Sequence, residues 1–391
     1  MTDDNPVYLD HHATTPVDQS VVAEMEPYFT EVYGNPASDD HSYGVEADRA
    51  VREARERISS AINARSEEII FTSGATESDN LAIRGTMEYA REQGHGNHLI
   101  TAATEHEAVL ELCGRLEKEG FEATILDVDE NGFVDPDAVR DAIHSETVLV
   151  SLMAANNEIG TMAPIGEIGQ ITSETQTLFH TDAVQALGYR DLDVDEHEID
   201  LMSLSGHKVY GPKGVGALYI RRRRPKVKIK PLVYGGGHER GYRSGTLNVP
   251  GVVGMGKAVE LADKNMDSRK SHVQELRDHM WERLQDEVDS IILNGPPVTG
   301  DRLPNNLNVS FYGVENKAIV RKLRSDVAVS AGSACTTGSV EASHVLQALG
   351  GDEEHWHSAI RFGLGKDNTL EEIDFAVDRM VDSISRLRQF S

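Results

Sequence analysis

Ser203-Leu204-Ser205-Gly206-His207-Lys208-Val209-Tyr210-Gly211-Pro212 sets a lysine just after the apolar run Ile199–Leu201. Upstream, Leu178-Phe179-His180-Thr181-Asp182-Ala183-Val184-Gln185 puts a carboxylate at the end of another apolar run. A lysine amine able to form an imine and an acid aimed at a pyridine nitrogen are the pair that pyridoxal 5'-phosphate chemistry requires. Either segment alone is weak; together they point to one cofactor site built at the ends of strands.

Working outward from these two runs, short apolar segments alternate with longer helical patterns. Strands are predicted at Glu68–Thr72, His98–Thr101, Glu122–Val128, Val148–Leu152, Leu178–Thr181, Ile199–Leu201 and Val215–Ile220. Helical patterns fall between them at Val45–Ile62, Thr76–Gln93, His106–Glu119, Asp135–Ile143 and Ile165–Glu174. That rhythm predicts an α/β fold with a mainly parallel sheet covered by helices on both faces. The pattern then changes to a long helix from Val252 to Val288, followed by the short runs Ile291–Leu293, Asn306–Ser310 and Ile360–Phe362 and a closing helix from Leu370. These segments read as a smaller α/β domain completed by the N-terminal stretch around Val7–Asp10. The division expected is 16–261 for the large cofactor-binding domain, and 1–15 with 262–391 for the small one.

At 391 residues, 39% apolar and 26% charged, the chain has the composition of a globular protein large enough for two domains. No run approaches the roughly twenty apolar residues of a membrane span. The acidic start Met1-Thr2-Asp3-Asp4-Asn5-Pro6 does not read as a secretory leader. Two cysteines, Cys113 and Cys335, make no disulfide framework, so a reducing cytoplasm is expected. The 65 acids against 38 Lys and Arg give a formal charge of −27, which disfavours nucleic acid and anionic membranes as partners. The acids are scattered rather than gathered in a tail, a pattern that suggests adaptation to high salt. The run Arg221-Arg222-Arg223-Arg224-Pro225-Lys226-Val227-Lys228-Ile229-Lys230 lacks interleaved aromatics and reads as a solvated strand and turn, paired with acids of a neighbouring subunit.

Other motifs converge on the same chemistry. Ser73-Gly74-Ala75-Thr76-Glu77-Ser78-Asp79-Asn80 follows a strand and opens a helix, where free N–H groups bind phosphate; Thr76 with Asp79 also reads as a plain capping box. His106 follows a strand and heads a helix, either capping it or stacking on a cofactor ring to relay protons. Gln185 and Asn157 are candidates for the ring's phenolic oxygen, and Ser205 and His207 for phosphate. Neither Glu105-His106-Glu107 nor His11-His12 has metal-site spacing. Cys113, inside a helical pattern, reads as a small buried hydrophobe. Cys335 lies among the small and polar residues of Val329–Ser339, so an exposed, flexible loop carrying a nucleophilic thiolate is expected there. Arg361 suits a bidentate grip on a substrate carboxylate, or an ordinary ion pair.

Taken in order, Ala13-Thr14-Thr15-Pro16, Gly34-Asn35-Pro36, Ser73–Asn80, Glu105-His106, Asn156–Thr161, His180–Gln185, Ser203–Gly216, Gly235–Arg240, Arg243–Thr246, Gly332–Cys335 and Arg361-Phe362 resemble the cysteine desulfurases of the NifS/IscS group. The likeness spans nearly the whole chain. It implies a fold type I pyridoxal phosphate-dependent transferase working as a homodimer. It further implies that Lys208 forms the imine, Asp182 pairs with the ring nitrogen, Gln185 and Asn157 contact the phenolic oxygen side and His106 stacks on the ring. Ala75, Thr76, Ser205 and His207 would bind phosphate, with Thr246 entering from the other subunit, while Asn35 and Arg361 hold the substrate carboxylate. L-Cysteine would become L-alanine, its sulfur passing to Cys335 as a persulfide and then to an acceptor such as an iron–sulfur scaffold protein. His11-His12, Ala37 and the ending at Phe390-Ser391 depart from the group's pattern, the last where other members carry a scaffold-docking tail. An aminotransferase on the same fold would not need Cys335, a selenocysteine lyase differs in its preferred substrate, and a non-catalytic carrier would not need Lys208, Asp182 and Cys335 together.

Overall fold

The computed structural model of the protein describes residues 5–332 and 342–389. In chain order its strands are β1 Val7–Tyr8, β2 Ile69–Thr72, β3 His98–Ala102, β4 Glu122–Leu126, β5 Thr147–Ser151, β6 Leu178–Asp182, β7 Leu201–Ser205, β8 Gly216–Ile220, β9 Ile291–Leu293, β10 Asn306–Phe311, β11 Val327–Ala328 and β12 Ala359–Gly363. A seven-stranded sheet runs β2-β8-β7-β6-β5-β3-β4. Pairings from β7 through β6, β5 and β3 to β4 are parallel, and only β8 is reversed, antiparallel to both β2 and β7. The predicted mainly parallel sheet is therefore present. β2, β3, β7 and β8 are buried at every position, as strands covered on both faces are. Each fully buried Val, Ile, Leu or Phe contributes roughly 1.5–3 kcal/mol.

A second sheet, β12-β10-β9, is antiparallel, and β1 pairs in parallel with β11. The N-terminal stretch is tied to this region: Val7 N donates to Asp326 O at 2.9 Å and His11 N to Gly363 O at 3.1 Å.

Three expectations shift. The strand read at Ile199–Leu201 lies at Leu201–Ser205, because Ser203 and Ser205 are buried in the sheet despite being polar. Ser203 is satisfied there by His180, whose Nε2 sits 3.0 Å from Ser203 Oγ. The single long helix is two, Val249–Lys264 and Met266–Glu287, broken at Asn265, whose side chain turns back to Leu261 O at 2.9 Å. The basic run is not merely solvated. Arg221 is buried and paired with Asp195 at 3.0 Å and Asp200 at 3.3 Å, and Lys230 pairs with Glu92 at 3.0 Å, all within this chain.

Candidate active site

The parallel strands all end on one side, and the side chains that follow them meet around a cavity of about 460 Å³. This is where ligands bind in open α/β sheets. Asp182 ends β6; Ser205 ends β7, and Lys208 closes the 3-10 turn that follows. Met153, Ala155 and Asn157 follow β5, His106 follows β3, and Ser73–Glu77 follow β2.

Ten of the predicted residues line this one cavity: Lys208, Asp182, Gln185, Asn157, His106, Ala75, Thr76, Ser205, His207 and Arg361. Asn35 and Thr246 are exposed and do not line it. Cys335 lies outside the described residues. Among the described residues no His, Cys, Asp and Glu cluster could hold a metal ion.

The helix Ala75–Gln93 starts without a side-chain cap, from Gly74 at φ +152°. The Thr76–Asp79 capping box does not form; Glu77 instead accepts from Ser73 N at 2.8 Å and pairs with Arg243 at 2.9 Å. The first helical N–H groups are thus left to an anion in the cavity. His106 caps the helix Glu107–Lys118, its Nδ1 accepting from Ala108 N at 3.0 Å, and the residue also lines the cavity.

Lys208 Nζ donates to the backbone oxygens of His12 and, at 3.0 Å, Ala13. Thr15 donates to His207 O through N and Oγ1, and His207 Nδ1 lies 3.1 Å from Thr14 Oγ1. The segment 12–15 is thereby fastened to the lysine turn. His12 was not foreseen as a site residue. It is buried, its Nδ1 is 3.0 Å from Gln185 Oε1, and Gln185 Nε2 donates to His12 O at 3.0 Å. Its Nε2 reaches Asn306 Nδ2 at 3.2 Å. The departure at His11-His12 was the available signal, but spacing alone gave it no partner. Burial holds the His12 imidazole neutral, down to about 3, with Arg361 and Lys208 adding to the effect.

Asp182 accepts from Val184 N at 2.9 Å through Oδ1. Burial raises its pKa, while that hydrogen bond and the positive potential of His106 and Lys208 oppose the rise. Behind it, Asp79 is buried with neither oxygen hydrogen-bonded, and burial and then Asp182 push its pKa well above the carboxylate range. His180, 3.7 Å from Asp79, is lowered by burial to about 3 and is held neutral between Ser151 and Ser203 at 2.8 and 3.0 Å. Glu105, also buried, accepts from Met153 N at 2.7 Å. Arg361 is 1% exposed, pairs with Asp10 at 2.9 Å and donates to Asn157 O at 3.1 Å, leaving its Nε without a partner.

These residues fit a pyridine ring carrying a phosphate. The Asp182 carboxyl lacks a full counter-charge, which a protonated ring nitrogen supplies. The buried Ser205 Oγ lacks a partner, which a phosphate oxygen supplies. An uncapped helix start completes the anion end. A lysine amine, a buried acid and a helix N-terminus around one cavity on an open α/β sheet define a pyridoxal phosphate-dependent enzyme.

Residues 7–375 match the sequence model of the Aminotransferase class-V family, and the chain belongs to that family. It is 50% identical over 386 residues to the "Cysteine desulfurase IscS" of Anaeromyxobacter dehalogenans, covering 99% of this chain and 94% of that one. It is 48% identical over 391 residues to the protein of the same name from Neisseria meningitidis serogroup C, covering 100% and 95%. Among solved structures, a NifS-like protein superposes with a TM-score of 0.90 at 37% identity, covering 97% of this chain and 100% of the other. "SspA in complex with cysteine" superposes with a TM-score of 0.80, also at 37% identity, covering 93% and 100%.

Proposed function

We propose that the protein is a cysteine desulfurase, converting L-cysteine to L-alanine and passing the sulfur through Cys335 to an acceptor for iron–sulfur cluster or thio-cofactor synthesis. The observation that carries this is the meeting of Lys208 and Asp182 in one cavity of a chain half identical to desulfurases along its length. When bound, the cofactor supplies a sink for the electrons left as the substrate Cα–H bond breaks.

The chain's own residues then have the following parts. Asp182 holds a proton at the ring nitrogen by charge proximity. Ser205, His207 and the N–H groups at Ala75 and Thr76 anchor phosphate, which fixes the ring's position. Arg361 turns its unpartnered Nε toward the substrate carboxylate, with Asn35 assisting. Lys208 Nζ would take the Cα proton and, after the sulfur has left, return a proton to Cα. The Cys335 thiolate attacks the substrate sulfur: an S–S bond forms, the Cβ–S bond breaks, and its electron pair is protonated to give the methyl group of alanine. His106 carries protons at the ring face.

The finer readings go with this one. Exposed Phe29, Tyr33, Tyr43 and Tyr234 support a homodimer, in which Thr246 serves the partner's phosphate site. Residues 16–261 form the cofactor-binding unit, and 1–15 with 262–391 the smaller one. A scaffold protein as acceptor, a cytoplasmic location and a high-salt habitat complete the proposal.

Mass spectrometry after treatment with L-cysteine tests the sulfur path. One added sulfur is expected on the peptide containing Cys335, and Cys335→Ser should keep the yellow cofactor while losing sulfide release. Full activity in that variant removes the reading.

A further inference from the structure

A second cavity, of about 530 Å³, lies apart from the catalytic one, between the segment 162–164, residues 189–191, the first half of the helix Met266–Glu287 and the loop 298–304. Four cationic side chains line it: Arg190, Lys270, Arg277 and Arg302. Arg277 and Arg302 are only 1% and 3% exposed. Arg277 pairs with Asp278 at 2.7 Å. Arg190, Lys270 and Arg302 enter no ion pair with a carboxylate among the described residues, although the chain carries a formal charge of −27.

Arg302 is held by neutral acceptors alone. It donates to Pro296 O at 2.7 Å, to Asn306 Oδ1 at 2.8 Å and to Asn294 O. Arg190 likewise donates to the backbone oxygens of Ala154 and Ala163, at 3.3 and 2.5 Å. A buried guanidinium without a counter-ion is costly. Burial, and then the like charge of Arg277, pull Arg302 down to about 9. The two acids on the cavity wall, Asp191 and Asp301, are exposed and form no ion pair with these cations, although the charge of Asp301 acts on Arg190. Each guanidinium has five N–H groups and only some are used, so donors remain for a ligand.

We propose that this cavity binds a phosphorylated small molecule, its phosphate held among Arg190, Lys270, Arg277 and Arg302. Three cations without a paired carboxylate, beside the Asp278-paired Arg277, call for more than one negative charge, and the planar guanidinium fork matches phosphate oxygens in pairs. Phe133, Met162 and Tyr189 supply apolar wall for the organic part, and the volume falls within the range of small-molecule sites.

The test uses the cofactor-loaded enzyme, so that the cofactor's own phosphate already fills the catalytic cradle. Calorimetric titration with inorganic pyrophosphate, at ionic strength held constant with KCl, should give saturable binding at one equivalent per chain. Lys270→Gln and, independently, Arg190→Gln should each weaken it by about tenfold or more, the loss of one charge-assisted contact. Lys270→Gln should keep the parent melting temperature without pyrophosphate. Two variants are used because Arg190 also holds backbone carbonyls, whereas Lys270 does not. No saturable heat, or an affinity unchanged in Lys270→Gln, overturns the proposal.

Discussion

Asp182 and the residues behind it set the electrostatics of the catalytic cavity. Its carboxyl is buried and faces the cavity beside Lys208 and His106. Asp182→Asn keeps the shape and removes the charge proposed to hold a ring proton. Turnover of cysteine is expected to fall by about a hundredfold or more, the size seen when one preorganised electrostatic group is lost, while the overall fold by circular dichroism stays unchanged. His180 offers a pH test. Its folded pKa is lowered to about 3 from an ordinary 6.5. Within that window the unfolded chain binds a proton that the folded chain refuses, so stability rises with pH and falls as the solution is acidified. Urea denaturation of the apoprotein between about pH 4 and 6 should show this slope reduced in His180→Asn by up to about 1.4 kcal/mol per pH unit. An unchanged slope would mean that the imidazole is already charged in the fold. Lys208 and Asp182 were legible in the sequence because each follows an apolar run that had to be a strand. His12 and Asp79 were not, since their roles come from neighbours 173 and 101 or more positions away, such as Gln185 and His180.

At the scale of elements, the phosphate end depends on backbone meeting backbone. β8 begins at Gly216, where an added Cβ would lie 2.7 Å from the Gly74 Cα and carbonyl carbon and from Leu204 O. None of these atoms can rotate away. Gly216→Ala is expected to cost about 1–3 kcal/mol through overpacking and to weaken cofactor binding, because Gly74 starts the helix proposed to cap the phosphate. Melting temperature of the apoprotein and a cofactor titration by absorbance read the two effects separately. Gly114, in the helix Glu107–Lys118, is the contrast: nothing lies within 4 Å of its added Cβ. Gly114→Ala should stabilise by roughly 0.5–1 kcal/mol through helix propensity. Most strands and helices of the large sheet were readable because both faces are covered and their apolar runs are unbroken. β7 was placed two residues early at its start and four at its end, because the buried Ser203, satisfied by His180, and Ser205 look like loop. The break at Asn265 was missed for a similar reason: a side-chain-to-backbone bond ends one helix where the hydrophobic pattern continues.

For the whole molecule the governing number is the formal charge of −27. Salt acts on it in two opposed ways. It screens favourable ion pairs, but those at the surface, such as Arg386–Asp382 and Arg49–Glu53, join half-exposed or more exposed side chains and contribute about 0–1 kcal/mol each. Buried pairs, such as Arg55–Glu239 at 2.7 Å with side chains 10% and 3% exposed, are screened far less. The excess of acids repels itself over the whole surface, and this repulsion is long-ranged. Raising ionic strength from 0.1 to 1 M shortens the screening length from about 10 to about 3 Å and removes most of it. Stability should therefore increase with salt, by a few kcal/mol, which corresponds to a rise in melting temperature of roughly several degrees. Potassium chloride from low to molar concentration, followed by calorimetry, checks this. Replacing several exposed acids such as Glu31, Asp39 and Asp40 with their amides should flatten the same dependence, because it removes the like charges on which the salt acts. A melting temperature that stays level or falls with salt would mean that local pairs outweigh the global repulsion, and the high-salt reading of the composition would go with it.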